Sequence, residues 1–157
     1  MSDVVAAGLF SLGGVLIGAL FAPFTQLFLE SRRDKRIAGR AKQLVAGELL
    51  HAQLVLRTAS TSQHWPYAED AQAASALLPS SMWEEHRSSL VGHMNEDVFN
   101  ALVGAYVTLQ NDRTRFLVAS KLPADTPLPP KEAQGLKELA DQMERLRRLL
   151  GGGDAAL

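Results

Sequence analysis

The 157-residue chain contains no cysteine. Disulfides, thiolate metal sites and cysteine nucleophiles are therefore excluded, and nothing about redox compartment follows. Aromatic residues make up only 6% of the sequence, and no stretch shows the two-residue alternation of a strand. Alanine, leucine and arginine are frequent instead, which favours helix. Glycine-rich phosphate loops and nucleophile elbows are missing, and no pair of titratable side chains is convincingly placed for acid/base work. Charge is missing from one long run: between Val4 and Leu29 there is no Asp, Glu, Lys or Arg, and the most polar residues are Ser11, Thr25 and Gln26.

That run exceeds the roughly 20 residues needed to cross a hydrocarbon core about 30 Å thick. The expectation is one transmembrane helix, with its hydrocarbon core at residues 4–20 and Pro23 at the interface or a kink. Residues 21–29 would carry the helix through the headgroup region. A cleaved signal peptide would need a basic leading segment and small residues before the cut, whereas the first basic residue here is Arg32. A buried helix of a soluble protein would have to be surrounded on all sides, for which the remaining chain is too short.

Charge is sorted along the sequence. Residues 30–42 hold Arg32, Arg33, Lys35, Arg36, Arg40 and Lys42 against Glu30 and Asp34, a net of +4. Residues 43–157 hold ten basic and fourteen acidic side chains, a net of −4. Cations gathered at one end of a membrane helix mark that end as cytoplasmic. The N-terminus is thus expected outside the plasma (inner) membrane and the C-terminal domain in the cytoplasm. The juxtamembrane cations can also lie against anionic headgroups. The acidic remainder argues against nucleic acid as a partner.

Within the apolar run, Ala7, Ser11, Gly14, Gly18 and Ala22 fall on one narrow stripe of a helix, and Gly14 to Gly18 form a GxxxG sequence. Small residues so placed allow a second helix to approach closely. The expected partner is a second copy of the chain, as a homodimer, or a larger membrane protein.

The rest of the chain reads as an all-α domain, an antiparallel helical bundle continuous with the anchor. The expected organisation is an anchor at 1–30, a basic helix start at 31–42, a cytoplasmic domain at 43–150 and a flexible tail at 151–157. Ile37, Ala41, Leu44, Val45, Leu49, Ala52 and Leu56 follow helical spacing up to Thr58. His64-Trp65-Pro66-Tyr67 reads as a turn, and alanines suggest a short helix from Glu69 to Leu78. Ser81-Met82-Trp83-Glu84 fits a capping box, opening a helix that reaches about Gly92. Asn95 followed by Glu96 and Asp97 caps another, which should bury Phe99, Leu102, Val103, Tyr106, Leu109, Phe116 and Leu117. After a loop with four prolines, Pro130 starts a helix whose Leu136, Leu139, Met143, Leu146 and Leu150 recur at steps of 3 and 4.

Two constellations could carry chemistry. Glu48 and His51 have the ExxH spacing of di-iron carboxylate bundles, which need two such motifs and two further glutamates; one motif is present. An exposed pair on a helix is the simpler expectation. Trp83, His86, Leu90 and His93 share one helical face, but seven residues separate the histidines by about 10.5 Å, too far to share an ion. They are expected as histidines at the edge of the core. No catalytic, cofactor-binding or metal-binding residue is assigned, and no cofactor is expected.

The run Ser81-Met82-Trp83-Glu84-Glu85-His86-Arg87, followed by Ala105-Tyr106 within residues 101–109, resembles a pattern in uncharacterised small single-pass membrane proteins of actinobacteria or their phages. The resemblance covers residues 30–110. It implies the same architecture and a bacterial or phage setting, and it brings no activity with it. The expected function is a membrane-anchored, non-enzymatic interaction or regulatory module, which would suit a phage or prophage accessory role at the host envelope. Rival expectations are a membrane-bound metal enzyme using Glu48 and His51, and a pore-former of the holin kind, for which the polar residues of the span are few and scattered.

Overall fold

The computed structural model describes residues 2–123 and 126–151, with side chains from position 29 onward. Five helices are seen: α1 (Ser2–Ser62), α2 (Ala71–Leu77), α3 (Ser81–Leu90), α4 (Glu96–Ala119) and α5 (Pro130–Gly151). Among the described residues there is no strand, and one isolated bridge joins His64 to Pro127. The fold is all-α.

The chain divides into two units, Met1–Ile37 and Ala38–Leu157. In the first, the side chains of residues 4–28 lie outside the described residues, so the expected membrane span and the stripe Ala7, Ser11, Gly14, Gly18 and Ala22 fall there too. Among the described residues, no helix is long and apolar enough to cross a membrane. The expected tail also lies outside them, beyond Gly151.

The second unit is a helical bundle. Its part of α1 buries Ala38, Ala41, Val45, Leu49, Ala52, Leu56 and Ala59, spaced by 3 or 4 residues. Alanine dominates this stripe and lets neighbouring helices come close. Ile37 and Leu44 do not belong to it: Ile37 is exposed and Leu44 half-buried. They sit about 80–100° round the helix from the buried line, because a residue's face depends on its exact step from the others.

Helix α5 covers α1 with Leu136, Leu139, Met143, Leu146 and Leu150, all buried as the spacing predicts. Polar links set its direction. Leu128 N donates to Gln63 O (2.7 Å), Arg57 donates to Asp141 (2.9 Å) and Gln53 donates to Glu144 (3.3 Å). Residue numbers rise along α1 as they fall along α5, so the two helices are antiparallel. Helix α4 buries Leu102, Ala105, Tyr106, Leu109 and Phe116 in the same core. Of the residues the sequence places inside, Phe99 and Leu117 are half-buried and Val103 faces out, 40% exposed. Leu102, Ala105, Tyr106 and Leu109 already make a complete stripe at steps of 3 and 4, and Val103 lies to one side of it.

Helices α4 and α5 start where the sequence indicates, while α2 starts two residues later than its alanines suggest, behind a cap they did not reveal. Asp70 accepts a hydrogen bond from Ala73 N (2.7 Å) at the head of α2, and Asn95 accepts from Asp97 N (2.8 Å) at the head of α4. The head of α3 is built differently, and it leads to the candidate site.

Candidate functional site

Ser81 does not cap α3. It is the first helical residue, Ser80 is the cap position, and the Ser80 side chain makes no capping bond to the backbone. Its hydroxyl donates to Glu84 Oε1 instead (2.7 Å) and accepts from Arg113 (3.1 Å). The capping box is thus replaced by a longer-range arrangement. Glu48, on α1, accepts from Met82 N through Oε1 (3.1 Å) and from Trp83 N through Oε2 (3.0 Å). Oε2 also accepts from the Tyr106 hydroxyl of α4 (2.9 Å). A carboxylate has about four lone-pair sites, and three are occupied here. One side chain therefore ties α1, α3 and α4 together and puts its charge against the positive end of α3.

Glu48 is 6% exposed, not the surface residue expected from its ExxH spacing. His51, one turn on, is exposed, and its Nε2 lies 3.2 Å from Ala76 O at the end of α2. The two side chains serve different helices. Among the described residues, no group of three or more His, Cys, Asp or Glu side chains is placed to hold a metal ion.

Aromatic rings extend the junction outward. Trp83 stacks on Tyr106, with ring centroids 4.9 Å apart and planes 8° from parallel, and meets Phe99 at 5.5 Å. Burial pushes the Tyr106 hydroxyl far above the ordinary tyrosine range, helped by the neighbouring Glu48 charge. It therefore remains a donor at any physiological pH. Beside these rings, α3 and α4 enclose a groove of about 500 Å³. Trp83, Phe99 and Tyr106 line it together with Val91, Val103 and Val107, and Glu84, Arg87 and Gln110 supply its polar lining.

Arg113 completes the framework. Its Nε donates to Leu78 O (3.0 Å), its NH2 donates to the same carbonyl, and NH2 also reaches Ser80. The segment between α2 and α3 is thereby fastened to α4. Asp112 next to it is buried, and desolvation holds its carboxyl above the usual carboxylate range although Arg115 (3.1 Å) pulls the other way. Arg115 continues to Glu132 on α5.

Comparison with family models, curated proteins and solved structures finds no match to this chain.

The other sequence candidates do not converge on this groove. Arg32, Arg33, Lys35, Arg36 and Arg40 are exposed along α1, and Lys42 is half-buried. His86 is half-buried, 3.8 Å from the Glu85 carboxylate. His93 is not on α3, which ends at Leu90; it is exposed, with Nδ1 3.3 Å from Val91 O. The shared histidine face ends with the helix, since Val91 is extended and Gly92 takes a φ of 76°. Sequence reasoning missed Glu48 as a cap and Arg113 as a clamp. For Glu48 a signal existed: it stands three residues after Val45 and four before Ala52, on the edge of the apolar stripe. A carboxylate there needs donors brought from elsewhere.

Proposed function

We propose that this protein is a single-pass, membrane-anchored interaction module without enzymatic activity. Residues 4–29 cross the plasma (inner) membrane with the N-terminus outside, and the helical unit acts on the cytoplasmic side. The observation that carries this reading is the charge-free run followed directly by six cations, Arg32 to Lys42. Support for an interaction role comes from how the bundle uses its buried polar groups. Glu48 is spent on α3 and Arg113 on the α2–α3 connection, while Val91 and Val107 stand 59% and 54% exposed in the groove. The partner is a membrane or cytoplasmic protein, or a second copy joined through the Gly14 and Gly18 stripe. A bacterial or phage setting, with an accessory role at the host envelope, belongs to the same proposal.

The test is extraction and labelling of the full chain in bacterial membranes. It should stay in the membrane through alkaline carbonate washing. A single cysteine introduced at Ser2 should react with an impermeant maleimide on intact spheroplasts, whereas one at Ser31 should react only after lysis. Release by carbonate, or the opposite labelling pattern, would refute the anchor or its orientation.

A further inference from the structure

The groove between α3 and α4 contains hydrogen-bond donors that the fold leaves unused. Trp83 is only 6% exposed and lines the groove, yet its indole N–H makes no hydrogen bond among the described residues. The fully buried side-chain groups that lack a partner there are Gln53 Oε1 and Arg147 Nε, so the indole N–H is reached from the groove. Arg87 stands four residues on, which puts it on the same face of α3 as Trp83. It is exposed at the groove and forms no ion pair or hydrogen bond among the described residues. Glu84 lies one turn before Arg87, but its Oε1 turns the other way, to the Ser80 hydroxyl (2.7 Å) that Arg113 in turn holds (3.1 Å).

We propose that this groove binds a small organic acid, its apolar body seated among the rings and valines and its carboxylate held by Arg87 and the Trp83 indole N–H. Three features select that ligand. The walls, Phe99 and Tyr106 with Val103 and Val107 of α4, are apolar and enclose about 500 Å³, within the range of small-molecule pockets. The Tyr106 hydroxyl is committed to Glu48, so that residue offers the groove its ring alone. An indole N–H and a guanidinium only donate, so the group they lack is an acceptor, and a carboxylate matches the guanidinium fork with two oxygens. Among the described residues lining the groove Arg87 is the one cation, and residues 43–157 carry a net charge of −4, so a single carboxylate suits it and a polyanion is repelled. Every residue involved lies in the second unit, so the site stands whether or not residues 4–29 anchor the chain.

The full chain in maltoside micelles is titrated calorimetrically at neutral pH with 3-phenylpropanoate, and protein-free micelles serve as the blank. The acid should bind about tenfold more tightly than 3-phenylpropanamide, which keeps the body without the charge, and than propanoate, which keeps the charge without the body. R87Q should weaken the acid by about tenfold and leave the amide unchanged. W83F keeps an apolar ring, removes the donor and should weaken the acid by about threefold. The control K131Q on α5 should bind as wild type does, and circular dichroism checks that each variant is folded. Equal affinity for acid and amide, no binding of the acid, or an R87Q variant that binds it as wild type does would overturn the proposal. So would a loss in K131Q matching that in R87Q, which would trace binding to the charge of the whole bundle. Tighter binding of 3-phenylpropylamine than of the acid would assign the groove to cations and overturn it as well.

Discussion

Glu48 is a charged side chain among apolar ones, and three donors allow it to remain there. A buried carboxylate without partners would be costly, and two amides and a hydroxyl without an acceptor would each be costly as well. Either loss exposes the other half of the arrangement. Glu48→Gln retains one acceptor oxygen but turns an amide group toward a backbone N–H, so the bundle should lose about 2–3 kcal/mol. Tyr106→Phe leaves both backbone bonds in place and should cost about 1–2 kcal/mol. Thermal unfolding followed by circular dichroism measures both, and a Glu48→Gln variant as stable as wild type would remove Glu48 from its structural role. Asp112 supplies a test by pH. Its folded-state pKa lies above the ordinary value because of burial, so the folded state holds its proton to higher pH than the unfolded state does. Stability from this group is therefore fully present below the ordinary carboxylate range and falls as pH rises through the raised value. Asp112→Asn should melt close to wild type at acid pH and gain on it toward neutrality; a difference independent of pH would contradict the assignment.

At the scale of the element, helix ends decide the architecture more than helix middles. Gln63 follows α1 with a φ of 56°, and Gly92 follows α3 with a φ of 76°. Gln63 holds the left-handed position that commonly stops a helix, whereas Gly92 follows the extended Val91 in a turn closed by His93 N donating to Leu90 O (3.1 Å). Gln63→Gly should raise stability by about 1 kcal/mol, because the side chain's clash with its own backbone is relieved and the Gln63 O to Leu128 N bond needs no side chain. Gly92→Ala should lower it by a similar amount, and since a Cβ there meets nothing within 4 Å, the cost is purely conformational. Opposite shifts in melting temperature would bear out the positive φ that the two positions share. Helix α3 shows what a local signature misses. Ser81 and Glu84 carry capping-box spacing, yet Glu48 reaches the orphan amides first, and a carboxylate held rigidly by packing outcompetes a hydroxyl on the chain's own turn.

The whole molecule joins an apolar run, a cationic stretch and an acidic bundle in one chain. The bundle is held by apolar stripes and by polar ties that cross between helices, with Glu48 linking three of them and Arg57, Asp141 and Glu144 linking α1 to α5. Among the described residues, Glu48 and His51 belong to no cluster of three metal-ligating side chains. The bundle's face of valines and aromatic rings forms an open groove between α3 and α4.

Read by itself, the sequence determined the helical class and the helices past Ala38, because a 3.6-residue apolar period, the cap at Asn95 and the helix-opening Pro130 are local properties. It also determined the sorting of charge, which needs no fold to be read. Only the tertiary structure decided that Glu48 is interior, that Ile37 and Val103 turn outward, that His93 leaves the helical face, and that Trp83 stacks on Tyr106 over a groove. Each of these depends on which neighbour arrives at a given face, and a one-dimensional pattern specifies the face of a helix within about a turn without naming what packs against it.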